Sequence, residues 1–269
     1  MSVVTISRGS YSGGKLLAEC LAGKLGYRCI DRDVIIKRAA ASGVSEEELR
    51  AALEKPPSFL GATGHTKYIY LTLVQAALTE EVCADKVVYH GLAGHMLLKE
   101  APHLIRTRII APMELRIGMV QERLQLARGE AIAHIEKMDQ MRRKWTQFLY
   151  GVDWGDPSLY DVVVSLERMS IEQACDVIAR MTRQKCFALT ADRREMMQDL
   201  TLASHIRVKL ALDPATCDLE LQVVSRQGTV SIQGEVAGID QATAVGRIAR
   251  SVPGAKRVEL KQLALVTRF

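Results

Sequence analysis

Gly9-Ser10-Tyr11-Ser12-Gly13-Gly14-Lys15 satisfies the pattern G-x-x-x-x-G-K, a spacing whose chemistry is phosphate binding. Glycines let backbone N–H groups turn inward around phosphate oxygens. A helix starting at the loop adds its partial positive charge, and the lysine reaches the β and γ phosphates. The alternative is a glycine-rich turn that binds nothing. Position favours the first reading: Val3-Val4-Thr5-Ile6 reads as a short buried strand before the loop, and Lys15 to Leu25 carries a helical pattern after it. Leu16 stands where a serine or threonine would place a hydroxyl on magnesium. The metal must therefore be held otherwise. Ser10, Ser12, or Asp31 and Asp33 acting through water are the open choices, and spacing does not select among them.

Strand, loop and helix open a βαβ unit. Further strands are expected at Tyr27 to Ile30, Lys86 to His90, Thr107 to Ala111 and Asp161 to Ser165, with helical stretches between them. That alternation predicts an α/β fold with a parallel sheet covered by helices on both faces. Ser45 and Ser170, each three residues ahead of Glu48 or Gln173, read as capping boxes. Lys55 to His65, with two prolines and two glycines, is expected to be an exposed loop, either beside an acceptor site or a plain connector. After about Met181 the alternation stops. The charged stretch Thr190 to Gln198 fits a linker or an exposed first helix turn, so two units are expected, residues 1–188 and 196–269. In the second, a helix near Leu202 to Ala211, strands at Leu219 to Val224 and Thr229 to Gly234, a helix at Ile239 to Ser251 and a strand at Arg257 to Val266 give the order αββαβ.

The composition, 48% hydrophobic and 25% charged, is that of a globular protein rather than a disordered or fibrous one. A net charge of +5 suits an anionic small ligand, but the basic residues are scattered rather than interleaved with aromatics, which argues against nucleic acid. Six cysteines without metal-site spacing read mostly as small buried hydrophobes in a reducing compartment. With no membrane-length apolar run and no signal-peptide order, a cytoplasmic location is expected.

Several motifs agree in order with one family: Val4-Thr5-Ile6-Ser7-Arg8 leading into the phosphate loop, Leu25-Gly26-Tyr27 before Ile30-Asp31, Asp139-Gln140-Met141-Arg142-Arg143, and Trp154-Gly155-Asp156-Pro157 before Asp161-Val162-Val163-Val164. Over roughly residues 1–180 the chain resembles the cytidylate-kinase-like family of P-loop proteins. The resemblance implies ATP and Mg²⁺ as cofactors, with Gly9, Ser10, Tyr11, Ser12, Gly13, Gly14, Lys15 and Leu16 around the nucleotide. It implies that Asp31, with Lys37 or Arg38, holds an acceptor monophosphate. It also implies a lid whose Asp-x-x-Arg brings Arg142, with Arg143 beside it, over the transferring phosphoryl group, Lys15 completing the catalytic set. A solvated basic helix face is the plain alternative for each arginine, and Arg116 and Arg123 are weaker candidates of the same kind. Trp145 and Trp154 fit core packing better than base stacking. Where relatives carry Gly-Arg after the third strand, this chain reads His90-Gly91-Leu92-Ala93-Gly94-His95. Leu92 cannot grip a phosphate, so either His90 or His95 takes part of the role, or the acceptor differs, or catalysis is lost.

From Leu202 to Val266 the chain resembles a BON domain, on Gly228-Thr229-Val230-Ser231-Ile232-Gln233-Gly234-Glu235-Val236 and Val252-Pro253-Gly254-Ala255-Lys256-Arg257-Val258. It offers no nucleophile, metal cluster or acid/base pair, and so reads as a binding or regulatory module, with an appendage for homo-oligomer formation or a purely structural appendage as the alternative. Two functions stand open. One is phosphoryl transfer from ATP to a small acceptor, CMP or a related nucleoside monophosphate. The other is a catalytically weak nucleotide sensor that regulates the second module. Leu16 and Leu92 favour the sensor, Lys15 and Asp139-x-x-Arg142 the enzyme. An assembly protein with a vestigial loop is a third class.

Overall fold

Val3, Val4, Thr5 and Ile6 are all buried, as a strand covered on both faces must be. They form β1 (Val3–Arg8), the middle of a five-stranded parallel sheet ordered β2-β3-β1-β4-β5, with β2 Arg28–Ile30, β3 Val87–Tyr89, β4 Leu104–Ile110 and β5 Val162–Ser165. The computed structural model describes residues 2–54, 64–91 and 93–265. The period-two alternation of β1 sends Val3 into one core, with Ile35, Leu78, Tyr89, Leu98 and Trp145. Val4 and Ile6 enter the opposite core, with Leu17, Leu21, Ile105, Ile109 and Ile178. Each such side chain, fully buried, stabilises the fold by roughly 1.5–3 kcal/mol.

The chain leaves β1 toward β2 and β3 on one side and pairs with β4 and β5 on the other. Strand order therefore reverses at β1, and in open α/β sheets the crevice at that reversal, beyond the carboxyl ends of the strands, is where ligands bind. The loop at Gly9 to Gly13 emerges there into α1 (Gly14–Leu25). Asp31 caps α2 (Arg32–Ala40) by accepting the Asp33 and Val34 amides. The remaining helices of this part are α3 (Glu46–Glu54), α4 (Gly64–Cys83), α5 (Gly94–Leu97), α6 (Met113–Leu124), α7 (Arg128–Tyr150) and α8 (Ile171–Met181). Ser45 and Ser170 make the expected capping boxes with Glu48 and Gln173. The loop expected at Lys55 to His65 lies outside the described residues up to 63, and Gly64 and His65 already belong to α4.

Of the two readings of Thr190 to Gln198, the first turn of a helix holds and the linker does not: α9 runs unbroken from Ala191 to Leu212, capped by Thr190. Met197 is buried in the first core, with Leu200 and Val208 packed against it, while Leu202, Ala203, Ile206 and Leu210 belong to a separate core. That second core is completed by β6 (Gln222–Arg226), β7 (Thr229–Val236), α10 (Ile239–Arg250) and β8 (Arg257–Leu265), in the sheet order β6-β7-β8. Of the cysteines, Cys175 alone is buried and Cys29 and Cys186 are exposed, so burial is not their common property.

Candidate active site

The phosphate loop is held in place by its own geometry and by α6 and α7. Gly13 has φ 76°, a left-handed conformation that suits glycine, and Tyr11 adopts φ 57° despite its side chain. Tyr11 is kept there by the α6/α7 cluster of Ile117, Val120, Ala131 and Ile135, against which it packs, and by His134 Nε2, 3.2 Å from its hydroxyl. Next to it, the Ser10 amide donates to Asp139 Oδ1 at 2.9 Å. Arg116 grips both partners, donating through Nε to the Ser10 carbonyl at 2.8 Å and through Nη2 to Asp139 Oδ2. The Ser10 and Ser12 hydroxyls are buried and have no hydrogen-bond partner among the described residues. Unmet donors around a ring of loop amides are what a phosphate oxygen satisfies.

Arg8, on the last position of β1, extends across the loop. It donates to the His90 carbonyl, and its carbon chain fills the space a Cβ on Gly14 would need. Arg142 donates through Nη1 to the Arg8 carbonyl at 2.8 Å. Burial, then the neighbouring Arg142, pushes Arg8 down to about 10. Burial also lowers Arg142, with Arg32 and Arg116 adding repulsion against the opposing pull of Asp139. Two guanidiniums are therefore concentrated where each disfavours the other's charge.

These groups face a cavity of about 580 Å³, lined by Ser7, Arg8 and Lys15 from the loop region, Asp31, Arg32 and Asp33 from the start of α2, and His90, Gly91, Ala93 and His95 from the segment after β3. Met138, Met141, Arg142, Trp145 and Thr146 of α7 and Trp154 close it. Of the candidate site residues singled out from sequence, Lys15, Asp31, Asp33, His90, His95 and Arg142 meet here. Lys15 sits 3.7 Å from Glu19 one turn along α1. Arg143 lies outside, 66% exposed and 3.8 Å from Asp153. Lys37 is exposed and does not line the cavity. Arg38 points to α4, where it pairs with Glu80 and Glu81. The cause is local: Ile35, Ile36 and Ala39 turn into the core, which leaves Arg38 on the α4 side. Leu16 is 52% exposed beside the loop, and Leu92 lies outside the described residues. Trp145 is both a core residue and a cavity wall. Arg123 lowers Arg8 from a distance and Arg116 anchors the loop, so neither reaches over the cavity.

Sequence reasoning passed over Arg8 as a site residue. Its signal was present: a cation at the carboxyl end of a buried strand, directly before a phosphate loop. His90 and His95 are buried, each with an Nδ1 that has no partner among the described residues, and burial lowers both, His95 to about 4. Asp33 is kept low, first by its hydrogen bond from Arg50. Among the described residues no group of three or more His, Cys, Asp or Glu side chains could hold a metal ion by itself. A divalent ion at this site fits only if phosphate oxygens complete its shell, with Asp31 and the buried loop hydroxyls nearest in kind.

A family model described as "Cytidylate kinase-like family" matches residues 3–168, and one described as "BON domain" matches residues 198–266. The cytidylate kinase of Ignicoccus hospitalis is 28% identical over 184 residues, which are 67% of this chain and 99% of that protein. The cytidylate kinase of Methanosarcina acetivorans is 28% identical over 178 residues, 65% of this chain and 93% of that protein. Among solved structures, an uncharacterized protein from Eubacterium ventriosum aligns with a TM-score of 0.54 at 18% identity, covering 67% of this chain and 97% of that one, and so shares the fold. No helix among the described residues is long and apolar enough to cross a membrane.

Proposed function

Because the chain belongs to the cytidylate kinase-like family, we propose that it transfers the γ-phosphoryl group of ATP to a small acceptor, CMP or a related nucleoside monophosphate. The observation that carries this reading is the convergence of Arg8, Lys15, Arg32 and Arg142 on one cavity. Its two acidic residues are already engaged, Asp31 in capping α2 and Asp33 with Arg50. Partly desolvated guanidiniums set against one another are stabilised by an incoming polyanion, and phosphoryl transfer depends mainly on positioning and on neutralising charge over the transferring oxygens. Lys15 and the loop amides hold the donor phosphates. In this reading Arg142, held by the Arg8 carbonyl, and Arg8 itself neutralise the charge that the moving phosphoryl group gathers. Bound Mg²⁺ would supply further neutralisation of the phosphate oxygens. Residues 1–188 form the catalytic unit in this proposal and 196–269 a regulatory one.

The second reading, nucleotide sensing with little transfer, is favoured by Leu16 at the metal-hydroxyl position and by α9, which is built into both cores. ADP release from ATP and Mg²⁺ over a panel of nucleoside monophosphates separates the two, with Lys15→Ala as the blank. Stimulation by one acceptor supports transfer and names the substrate. A flat panel with measurable ATP binding refutes transfer in favour of sensing, and unchanged ATP affinity in Lys15→Ala refutes both.

A further inference from the structure

Ser7, His95 and Trp154 line the same cavity as Lys15 and Arg142, and Tyr160 joins them from behind. The Tyr160 hydroxyl lies 2.7 Å from the Trp154 carbonyl oxygen, 3.2 Å from Ser7 Oγ and 3.3 Å from His95 Nε2. Arg108 donates through Nη1 to the same Trp154 carbonyl and, at 3.3 Å, to the Tyr160 oxygen, and its guanidinium lies 4.2 Å from the centre of the Trp154 ring. A tyrosine hydroxyl has one proton, and a carbonyl oxygen can only accept. The 2.7 Å contact is the shortest of the set, so that proton belongs to it. Toward His95 the tyrosine oxygen is then an acceptor, with Arg108 on its other lone pair, and the tautomer that satisfies this contact carries the imidazole hydrogen on Nε2.

Fixing Nε2 as the donor leaves Nδ1 as a bare lone pair. That nitrogen is buried, has no hydrogen-bond partner among the described residues, and belongs to a residue only 3% exposed. Burial, with Arg108 and Arg106 nearby, keeps the ring uncharged at neutral pH. An uncharged acceptor without a donor is left unmet by the protein and is matched by a ligand carrying one.

We infer that His95 is a specificity-determining residue of the acceptor site: its Nδ1 accepts a hydrogen bond from an N–H or O–H group of the acceptor molecule, beside the apolar wall of Trp154. This rests on the phosphoryl-transfer reading for its context. Among nucleobases, an exocyclic amino group satisfies the lone pair, whereas a carbonyl in the same place sets lone pair against lone pair. Cytosine is thereby preferred to uracil, and adenine to hypoxanthine, because an unpaired buried polar group discriminates more strongly than a change of shape.

The test compares kcat/KM within the pairs CMP/UMP and AMP/IMP for the wild type, His95→Leu and Tyr160→Phe. It adds nitrogen NMR of the His95 ring and equilibrium binding of each nucleotide read by tryptophan fluorescence. The wild type should favour the amino member by at least about tenfold, and His95→Leu should bring that ratio within about threefold. Tyr160→Phe, which keeps the ring and removes the group that orients the imidazole, should also lower the ratio and change the His95 nitrogen signals. A wild type that phosphorylates both members equally, an unchanged ratio in His95→Leu, or a hydrogen on Nδ1 overturns the inference. A flat panel overturns phosphoryl transfer instead, and the binding ratio and ring signals then judge His95 independently. Should His95→Leu fail to fold, Tyr160→Phe and the wild-type ring signals decide.

Discussion

Replacing Gly14 with alanine tests whether Arg8 is the cation that the phosphate loop is built around. Gly14 is the first residue of α1 and its φ is not positive, so the backbone accepts alanine. The obstacle is Arg8, whose Cβ and Cγ would each lie 3.1 Å from the new methyl group and whose Cδ would collide with it. The guanidinium must therefore leave the His90 carbonyl. Losing a hydrogen bond from a charged donor costs about 1.5–3 kcal/mol, partly offset by up to about 1 kcal/mol of helix propensity. For the affinity, withdrawing the same charge from bound phosphate should weaken ATP binding roughly 10- to 100-fold. Isothermal titration of ATP and Mg²⁺ into the wild type, Gly14→Ala, Arg8→Ala and the double variant closes a thermodynamic cycle. If the methyl acts by displacing Arg8, the double variant binds no more weakly than Arg8→Ala. A methyl that obstructed phosphate directly would act with or without the arginine. Losses that add to within about 0.5 kcal/mol would refute the role given to Arg8.

Asp139→Ala removes the acceptor of the Ser10 amide and leaves Arg116 without its carboxylate, and it should lower stability by about 1–3 kcal/mol in chemical denaturation. Asp139→Asn, which can still accept from Ser10, should lose less. His103 is 1% exposed, both its ring nitrogens lack a hydrogen-bond partner among the described residues, and burial lowers its pKa below the ordinary 6.5 against the opposing pull of Asp85. The folded protein therefore takes up this proton less readily than the unfolded chain. The associated stability is complete above about pH 6.5 and is lost as the pH falls below it. Denaturation midpoints measured from pH 7 to 5 should fall less steeply in His103→Leu than in the wild type, and parallel slopes would show that His103 does not carry the dependence.

The phosphate loop was legible because every part of it lies within fifteen residues, strand, glycines and lysine in one local run. The capping boxes of α3 and α8 were legible for the same reason. The contacts that make the loop a site are not local. Ser10 meets Asp139 across 129 positions, Arg142 meets Arg8 across 134, and Tyr160 meets His95 across 65. Pattern can suggest that Asp139-x-x-Arg142 belongs over the loop, but it cannot show that Asp139 anchors the Ser10 amide while Arg142 holds a backbone carbonyl. For Arg38, the apolar pattern of α2 buries Ile35, Ile36 and Ala39 and so leaves Arg38 off the cavity side, while its partners Glu80 and Glu81 lie on a helix some forty residues away.

The charged start of α9 left a linker and a helix turn both open for a different reason. An amphipathic helix announces itself by one apolar stripe, whereas α9 gives Met197, Leu200 and Val208 to one core and Leu202, Ala203, Ile206 and Leu210 to another. Apolar residues on two faces blur the 3.6-residue period, and the charges between them resemble a linker. Structurally the result is the reverse of a linker. His205 of α9 reaches Glu80, the same carboxylate that receives Arg38 from α2, and α2 begins with the Asp31, Arg32 and Asp33 that line the cavity. The partly exposed His205–Glu80 pair contributes only about 0.2–1 kcal/mol by itself. The buried apolar contacts of Met197 and its neighbours are the stronger link, since truncating such a side chain typically costs 2–5 kcal/mol. A cut before α9 would uncover part of the first core and a cut within it would damage both, so removing the C-terminal module together with α9 should destabilise the core beneath the cavity.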